Sequence, residues 1–370
     1  MKLVTHDGMF HADDVLAAAI LKLALGTDAN FEIIRSQDPN IQKTADILFD
    51  AGGVYSPKNG RYDRQQSKSP LRKIKIPKAS ASLLWHTYQK TVIENTLTAQ
   101  GYADTEFYRN HLEDTWRYIG GHIDSNLLMP IDVADSDSGK YVLVSKHSSE
   151  HSKAIKHVQP PKYVHMDSPA YTLSAYLKSF NIAWWETSTP ANQDSRFFEA
   201  VDVATELLED TIEEAYWFQQ GRQMTIDLAL QASHSAAPNI LVLDKYIPCK
   251  SHLFAEELTQ QNVDIHFLIF PTPDSHTSEW KIVGTAPSRQ EWKTVKTPLP
   301  LAWKGLSNNE LQKVSGYNDA IFCHWDLSFA VFGSKESAVA VANSLLNHER
   351  VSERVDVSAG DKFIDPVSKL

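Results

Sequence analysis

His6, His11, Asp13 and Asp14 fall within nine residues of one another, in Lys2-Leu-Val-Thr-His-Asp-Gly-Met-Phe-His-Ala-Asp-Asp-Val-Leu16, where a short apolar run passes into one rich in alanine and leucine. Imidazoles and carboxylates are the ligand types of a divalent metal. The order reads as strand then helix, which puts the cluster at a strand's carboxyl end, where open α/β sheets carry their sites. Asp50 is expected at the same place, because it follows Ile47-Leu48-Phe49 and precedes Ala51-Gly52-Gly53, whose glycines allow a sharp exit from a strand. Asp63, Asp132 and Asp135 close further short apolar segments. Two carboxylates about 4 Å apart repel by roughly 4 kcal/mol at an effective dielectric near 20. Converging acids therefore need a cation, a shared proton or a basic side chain. Mixed imidazole and carboxylate ligation suits manganese, iron or zinc better than calcium. The blander reading is that Asp13 or Asp14 caps the helix and His6 bonds a backbone carbonyl; the two roles are compatible.

The elements that must position these groups follow from periodicity. Residues 2–5 read as a buried strand, 15–25 as a helix and 31–35 as a second strand, a βαβ opening. Residues 80–96 and 107–128 have helical spacing. Residues 136–169, with His147, His151, His157 and His165 around a Pro-Pro pair, read as an irregular insertion. Residues 195–232 keep Phe197, Val201, Ala204, Leu208, Ile212 and Ala215 on one helical stripe. Strands are then expected at 240–243, 265–270, 280–285 and 320–324, and a helix at 335–346. The expected domains are 1–233, including the insertion and the long connecting helix, and 238–348. Residues 349–370 would form a mobile tail.

A chain of 370 residues that is 42% hydrophobic can bury a full core. Its formal net charge of −10 argues against a broad non-specific hold on duplex DNA or an anionic membrane. Cys249 and Cys323, the only cysteines, are too few for a disulfide framework or a thiolate cage and read as core thiols in a reducing compartment. No apolar run approaches the roughly 20 residues of a membrane span. A cytoplasmic protein with no membrane partner is expected, its oligomeric state left open. The basic run Lys68, Arg72, Lys73, Lys75 and Lys78 reads as solvated charge, with steering of a nucleic-acid strand as the alternative, and Ile74 and Ile76 within it suggest an edge strand. Trp184, Trp185, Trp217, Trp280, Trp292 and Trp303 read as core aromatics, with base stacking as the alternative.

Several segments together carry a resemblance: His6-Asp-Gly-Met-Phe-His11-Ala-Asp13-Asp14, Phe49-Asp50-Ala-Gly-Gly-Val-Tyr-Ser-Pro-Lys-Asn-Gly-Arg-Tyr62-Asp63, Ile131-Asp132-Val-Ala-Asp135, Ile240-Leu-Val-Leu-Asp-Lys-Tyr-Ile-Pro248, Pro298-Leu-Pro-Leu-Ala-Trp-Lys-Gly-Leu306, Val314-Ser-Gly316 and Phe322-Cys-His324. In this order, and through residues 174–185, they resemble the melanocyte-proliferating-gene-one (Myg) family, which is related to the DHH phosphoesterases. The resemblance leaves 136–169 and the residues beyond 346 uncovered. It implies an α/β fold: a parallel-sheet, DHH-phosphoesterase-like N-terminal domain facing a smaller α+β C-terminal domain across a cleft. It also implies metal-dependent hydrolysis of phosphodiester or phosphoanhydride bonds, with short RNA or a nucleotide as substrate. Carried onto this chain, His6, His11 and Asp50 would hold a first metal, and Asp13, Asp50 and Asp135 or Asp132 a second. Manganese is the first candidate and magnesium the other. Lys304 and His324 would belong to the substrate face of the second domain.

The chain departs from this pattern at Asp63-Arg64-Gln65-Gln66, where the family reads Asp-His-His-Gln. An arginine cannot ligate a cation near neutral pH. The expectation is that Arg64 lays its guanidinium against Asp13 and Asp135 in place of a second ion, so that one metal is held rather than two. Asp13, Asp50, Arg64 and Gln65 are then the candidate catalytic residues. The competing readings are a catalytically silent relative that binds a nucleotide or a protein partner, and a structural subunit that binds no metal.

Overall fold

The structure is a computed structural model that describes residues 1–26, 29–65, 69–73, 75–136, 141–143, 163–165, 172–272 and 279–356, without the side chains of 141–143, 163–165 and 348–356. The chain divides into two compact units, Met1–Gln219 and Gln220–Leu370.

The first unit runs β1 (Lys2–Thr5), α1 (Ala12–Leu25), β2 (Glu32–Arg35), α2 (Pro39–Lys43), β3 (Ile47–Phe49), β4 (Tyr55–Ser56), β5 (Arg61–Tyr62), α3 (Ser80–Ala99), α4 (Glu106–Asn110) and α5 (Leu112–Ile123). A π-helical turn at Asp124–Leu128 leads into α6 (Met129–Asp135), followed by β6 (Tyr141–Leu143), β7 (Tyr163–His165), α7 (Leu173–Lys178) and α8 (Pro190–Ser233), whose residues from Gln220 onward belong to the second unit. Five strands form one sheet in the order β2-β1-β3-β5-β4. β1 is parallel to both β2 and β3, β3 is parallel to β5, and β4 closes the edge antiparallel to β5. The chain thus leaves β1 toward one flank and returns on the other. The crevice beyond the carboxyl ends of β1 and β3 is a topological switch point, where α/β sheets take their ligands. His6 follows β1 and Asp50 follows β3.

Every residue of α1 from Ala12 to Leu21 is buried, which suits a helix apolar on all sides. It packs on α3 and shares one core with Leu3, Ile47 and Phe49 of the sheet. The Asn95 amide of α3 donates to the carbonyls of Leu23 and Ala24 at 2.9 and 3.0 Å, satisfying acceptors that the end of α1 would leave open. The expected stripe of α8 is core from Phe197 to Ala215, each of its six residues at most 2% exposed. The helix itself begins earlier than expected, at Pro190, since proline is tolerated in a first turn whose N–H groups have no intrahelical partner.

Two local expectations are corrected. The segment with Asp132 and Asp135 is helical rather than a strand end: Pro130 stands in the first turn of α6, and Ile131 and Val133, which look like strand alternation, are both buried. The stretch 136–169 is not irregular throughout, because β6 and β7 pair antiparallel within it. His147, His151 and His157 lie outside the described residues.

The second unit contains β8 (Ile240–Val242), α9 (Glu256–Gln260), β9 (Phe267–Pro271), β10 (Trp280–Gly284), α10 (Asn308–Ser315), β11 (Ala320–Cys323), β12 (Phe329–Phe332) and α11 (Lys335–Asp356). Its sheet order is β11-β12-β10-β9-β8, antiparallel except for β8 with β9. Ala338, Val341, Ala342 and Leu346 of α11 cluster with Ile282 and Phe332 of the sheet. The helix runs ten residues past its expected end at Leu346, and the tail beyond Asp356 lies outside the described residues. Cys249 and Cys323 are buried and unbonded, and burial pushes both thiols up to about 11, as expected of inert core cysteines. No described helix is long and apolar enough to cross a membrane.

Candidate metal centre

His6 stands one residue beyond β1, and its ring is oriented from behind: Nδ1 bonds the Asp7 carbonyl at 2.8 Å, which turns Nε2 toward two carboxylates. Nε2 lies 3.2 Å from Asp14 Oδ2 and 3.4 Å from Asp50 Oδ2. One ligand atom from each of these three residues lies within 4.8 Å of the others. Ligation is expected of Asp13 and only capping of Asp14, yet it is Asp14 that both caps α1 and turns toward His6. Its Oδ1 accepts the His11 N–H at 2.8 Å and caps α1, while its Oδ2 is buried with no hydrogen bond among the described residues, only the ion-pair contact with His6. An imidazole nitrogen and two carboxylate oxygens, one of them buried and lacking a donor, form a donor set that a divalent cation fits.

Asp50 is presented by its own backbone. Its φ of +48° is left-handed, a conformation that aspartate and asparagine tolerate better than most side chains. Gly52 and Gly53 also have positive φ, and a Cβ on Gly52 would come 2.7 Å from the Leu48 side chain, so the exit from β3 needs its glycine. Asp63 holds the turn closed, accepting N–H bonds from Gly53 at 2.6 Å and Gln65 at 2.8 Å.

Asp13, one residue before Asp14, is rotated away from His6 and onto α3. Both of its oxygens accept N–H groups there, from Ser80 at 3.0 Å and Ala81 at 2.7 Å. These are donors of a helix start whose own cap position, Ala79, has no side-chain acceptor. Ser80 Oγ also reaches Asp50 Oδ1 at 3.3 Å. On the far side of the cluster Arg64 pairs through Nε with Asp135 Oδ2, and its Nη2 donates to the Asp135 carbonyl at 2.8 Å. Burial opposes the charge on Arg64, but Asp135, Asp13 and Asp50 all reinforce it. The acids show the complementary pressure. Burial, then the charges of Asp50 and Asp135, hold Asp13 well above the usual carboxylate range, and burial raises Asp135 despite Arg64.

His6, Asp13, Asp50, Asp63, Arg64 and Asp135 line a cavity of about 780 Å³ together with His11, Gln65, Ser174 and Lys178, every lining residue belonging to the first unit, while Asp14 lies behind the wall. Of the two acids left open by the sequence, Asp135 is in this wall and Asp132 is not. Asp132 is taken up by Arg72 Nε, by Ser82 Oγ at 2.7 Å and by the Ala79 N–H at 2.8 Å, while the Arg72 guanidinium also forks onto Asp124 at 2.9 and 3.0 Å. Arg72 is therefore not solvated charge, and among the described residues of its neighbourhood Leu71 and Pro77 form an isolated bridge, Lys68 and Ile74 lying outside the described residues. This brace ties α6 to the start of α3. Replacing Arg72 by methionine leaves Asp132 buried without its cation and should cost about 3 kcal/mol of unfolding free energy, read from the denaturant midpoint. A loss under about 0.5 kcal/mol would mean the pair is dispensable.

No local sequence pattern announces the supports behind this centre. Arg35, at the end of β2, donates to the Gly8 carbonyl at 2.6 Å and pairs with Asp194 at 3.1 Å, pinning the β1–α1 loop to α8. Asn181 clamps the Phe10 backbone from both sides, at 2.9 Å each. Lys304 and His324 lie in the second unit. Lys304 is exposed, and His324 bonds Asp326 at 2.6 Å and stacks on Phe329. Their two segments adjoin, the Cys323 N–H donating to the Leu306 carbonyl at 3.0 Å.

The family model MYG1_exonuc, described as Uncharacterised protein family (UPF0160), matches residues 2–346. The chain is 26% identical over 354 residues to the MYG1 protein of Dictyostelium discoideum, covering 94% of this chain and 97% of that one. It is 28% identical to the MYG1 protein of Chlamydia pneumoniae, covering 90% and 92%. It is 26% identical to the MYG1 exonuclease of Mus musculus, covering 93% and 84%. Among solved structures, a pGpG-specific phosphodiesterase, PggH, from Vibrio cholerae is 12% identical, with 95% of this chain and 98% of that one covered, at a TM-score of 0.21. The exonuclease RecJ bound to manganese is 14% identical, with 100% and 92% covered, at a TM-score of 0.23. Overlays this loose carry no residue roles across. The family match takes in every residue of the cavity wall, and the chain belongs to the MYG1_exonuc family.

Proposed function

We propose that this chain is a metal-dependent phosphodiester hydrolase acting on short RNA or a nucleotide, with one divalent cation, manganese first, held by His6, Asp14 and Asp50. The observation that carries the reading is the convergence of those three ligand atoms within 4.8 Å at the sheet's switch point. The exonuclease name borne by relatives agrees with it. A divalent ion there would supply Lewis acidity toward a phosphoryl oxygen and make hydroxide accessible near neutral pH. The protein's own part is to fix the ligands through the Asp7 carbonyl and the α1 cap, to pair Asp135 with Arg64 and to hold Asp13 on the amides of Ser80 and Ala81, so that the remaining acids do not repel an anionic substrate. His11, Gln65 and Lys178 in the cavity wall are placed to meet phosphate oxygens. A second reading, a relative that binds a nucleotide without turning it over, is favoured by one observation: Arg64 already neutralises the part of the cluster where another ion would assist the leaving oxygen.

The test is hydrolysis of a synthetic phosphodiester and of short RNA with manganese and with chelator. Manganese-dependent turnover supports the enzyme; binding without turnover supports the second reading. Metal uptake also has a signed pH dependence. Burial opposes a proton on His6, but the facing carboxylates of Asp14 and Asp50 outweigh it and push the ring to about 11. That proton stabilises the metal-free chain fully below the ordinary imidazole value, and the benefit is lost as pH rises toward about 11. A ligating imidazole must be neutral, so binding expels the proton, and manganese affinity should rise about tenfold per pH unit between roughly pH 6 and 8. Calorimetric titrations that give the same affinity across that range would show that binding displaces no proton from His6.

A further inference from the structure

Trp184 and Trp185 are 92% and 72% exposed, against the expectation that they are core. They occupy the two corner positions of a turn that is closed twice: the Glu186 N–H donates to the Ala183 carbonyl at 2.9 Å, and the Glu186 carboxylate accepts the Ala183 N–H at 2.8 Å. The two rings stand edge to face, 5.7 Å apart. A fixed turn that displays two indoles to water gives up the burial that tryptophan ordinarily contributes, and exposed aromatic surface of this kind marks a contact site.

The turn is tied to the neighbourhood of the metal centre. Three residues before Trp184, Asn181 grips the backbone of Phe10, next to His11 of the metal centre. Just upstream, α7 sends Ser174 and Lys178 into the cavity wall. The turn therefore follows Lys178 of the cavity wall by six residues in the chain and is tied beside the metal centre by Asn181. Its flanks, Glu186, Thr187 and Ser188, are exposed and polar, so the pair is isolated rather than part of a broad apolar face. Two isolated planar rings beyond a cationic side chain suit nucleobases, whose faces stack on indole while the backbone runs past the charge.

We propose that Trp184 and Trp185 form a stacking platform for the bases of a single-stranded nucleic acid whose scissile phosphate lies in the cavity lined by His6 and Asp50. This rests on the hydrolase reading for the identity of the ligand. Its test is separable from that reading because it measures binding with chelator present, where no turnover occurs. The full chain is titrated with an RNA about eight nucleotides long and with an abasic strand of equal length and charge. The expected result is that the base-bearing strand binds about tenfold more tightly, and that a Trp184→Ala, Trp185→Ala double variant loses this preference while keeping weak, salt-sensitive binding. Trp184→Phe with Trp185→Phe should retain part of the preference, and Trp292→Ala, another exposed tryptophan, should leave it unchanged. On the unmodified chain the RNA should shield indole fluorescence from acrylamide. An equal affinity of the unmodified chain for both strands, or a preference that persists in the alanine variant, overturns the proposal. So does a dimer of the unmodified chain, seen by sedimentation, that the alanine variant dissolves, because the turn would then belong to a second copy.

Discussion

Asp50→Asn should lower manganese affinity and manganese-dependent hydrolysis by at least a hundredfold while moving the unfolding free energy by less than about 1 kcal/mol. Loss of a partner behind the ligands costs roughly ten- to a hundredfold in comparable metal sites, and Asp50 is placed to bind directly. Asparagine keeps the volume and tolerates the left-handed backbone at φ +48°, so the substitution removes charge without removing the turn. Asp50→Ala would confound the two, since alanine in that conformation adds about 1–2 kcal/mol of strain. Metal analysis of the purified variant, beside a chemical denaturation curve, separates them. If Asp50→Asn still retained one tightly bound ion per chain, the His6–Asp14–Asp50 assignment would fall, because two ligands from this set would not hold it.

What the sequence reveals of this centre follows locality. The β1–α1 junction, the glycine exit after Asp50 and the pressure of converging acids on Arg64 are readable because each depends on neighbours in the chain or on charge alone. The choice between Asp13 and Asp14 is not. Consecutive residues of a helix point about 100° apart, and only the placement of α3 decides that Asp13 satisfies the amides of Ser80 and Ala81 while Asp14 turns back to His6. Asp132 and Asp135 are hidden in the same way. Three residues apart on α6, they are separated by partners 60 and 71 residues away, Arg72 and Arg64, that no local pattern announces. The tryptophans at 184 and 185 have apolar neighbours in sequence and read as core; their exposure is fixed by the Glu186 turn and by Asn181, both tertiary facts. In the second unit β12 escaped notice because Phe329–Phe332 is short and follows β11 closely.

Arg64→His combined with Gln65→His should change the ion count from one to two and raise manganese-dependent hydrolysis at least tenfold. As folded, Arg64 supplies a single positive charge to Asp135, Asp13 and Asp50, and two of those carboxyls are still raised above their ordinary range, so the cluster is under-neutralised. A guanidinium cannot be displaced into solvent without leaving Asp13 buried and Asp135 mostly so, and for that reason a second ion should not enter the unmodified chain. Imidazole at these positions removes the fixed charge and adds neutral nitrogen donors among the same carboxylates, which a divalent cation can then bridge. The intermediate case isolates the charge. Arg64→Ala should lose about 3 kcal/mol of stability without metal, from the acids it leaves unpaired, and recover most of it in excess manganese. Elemental analysis of the double variant and thermal unfolding of Arg64→Ala with and without manganese read these outcomes directly. Two ions bound by the unmodified chain, or an Arg64→Ala variant as stable as its parent without metal, would show that the guanidinium does not stand in for a cation, since the acids would then be neutralised by other means.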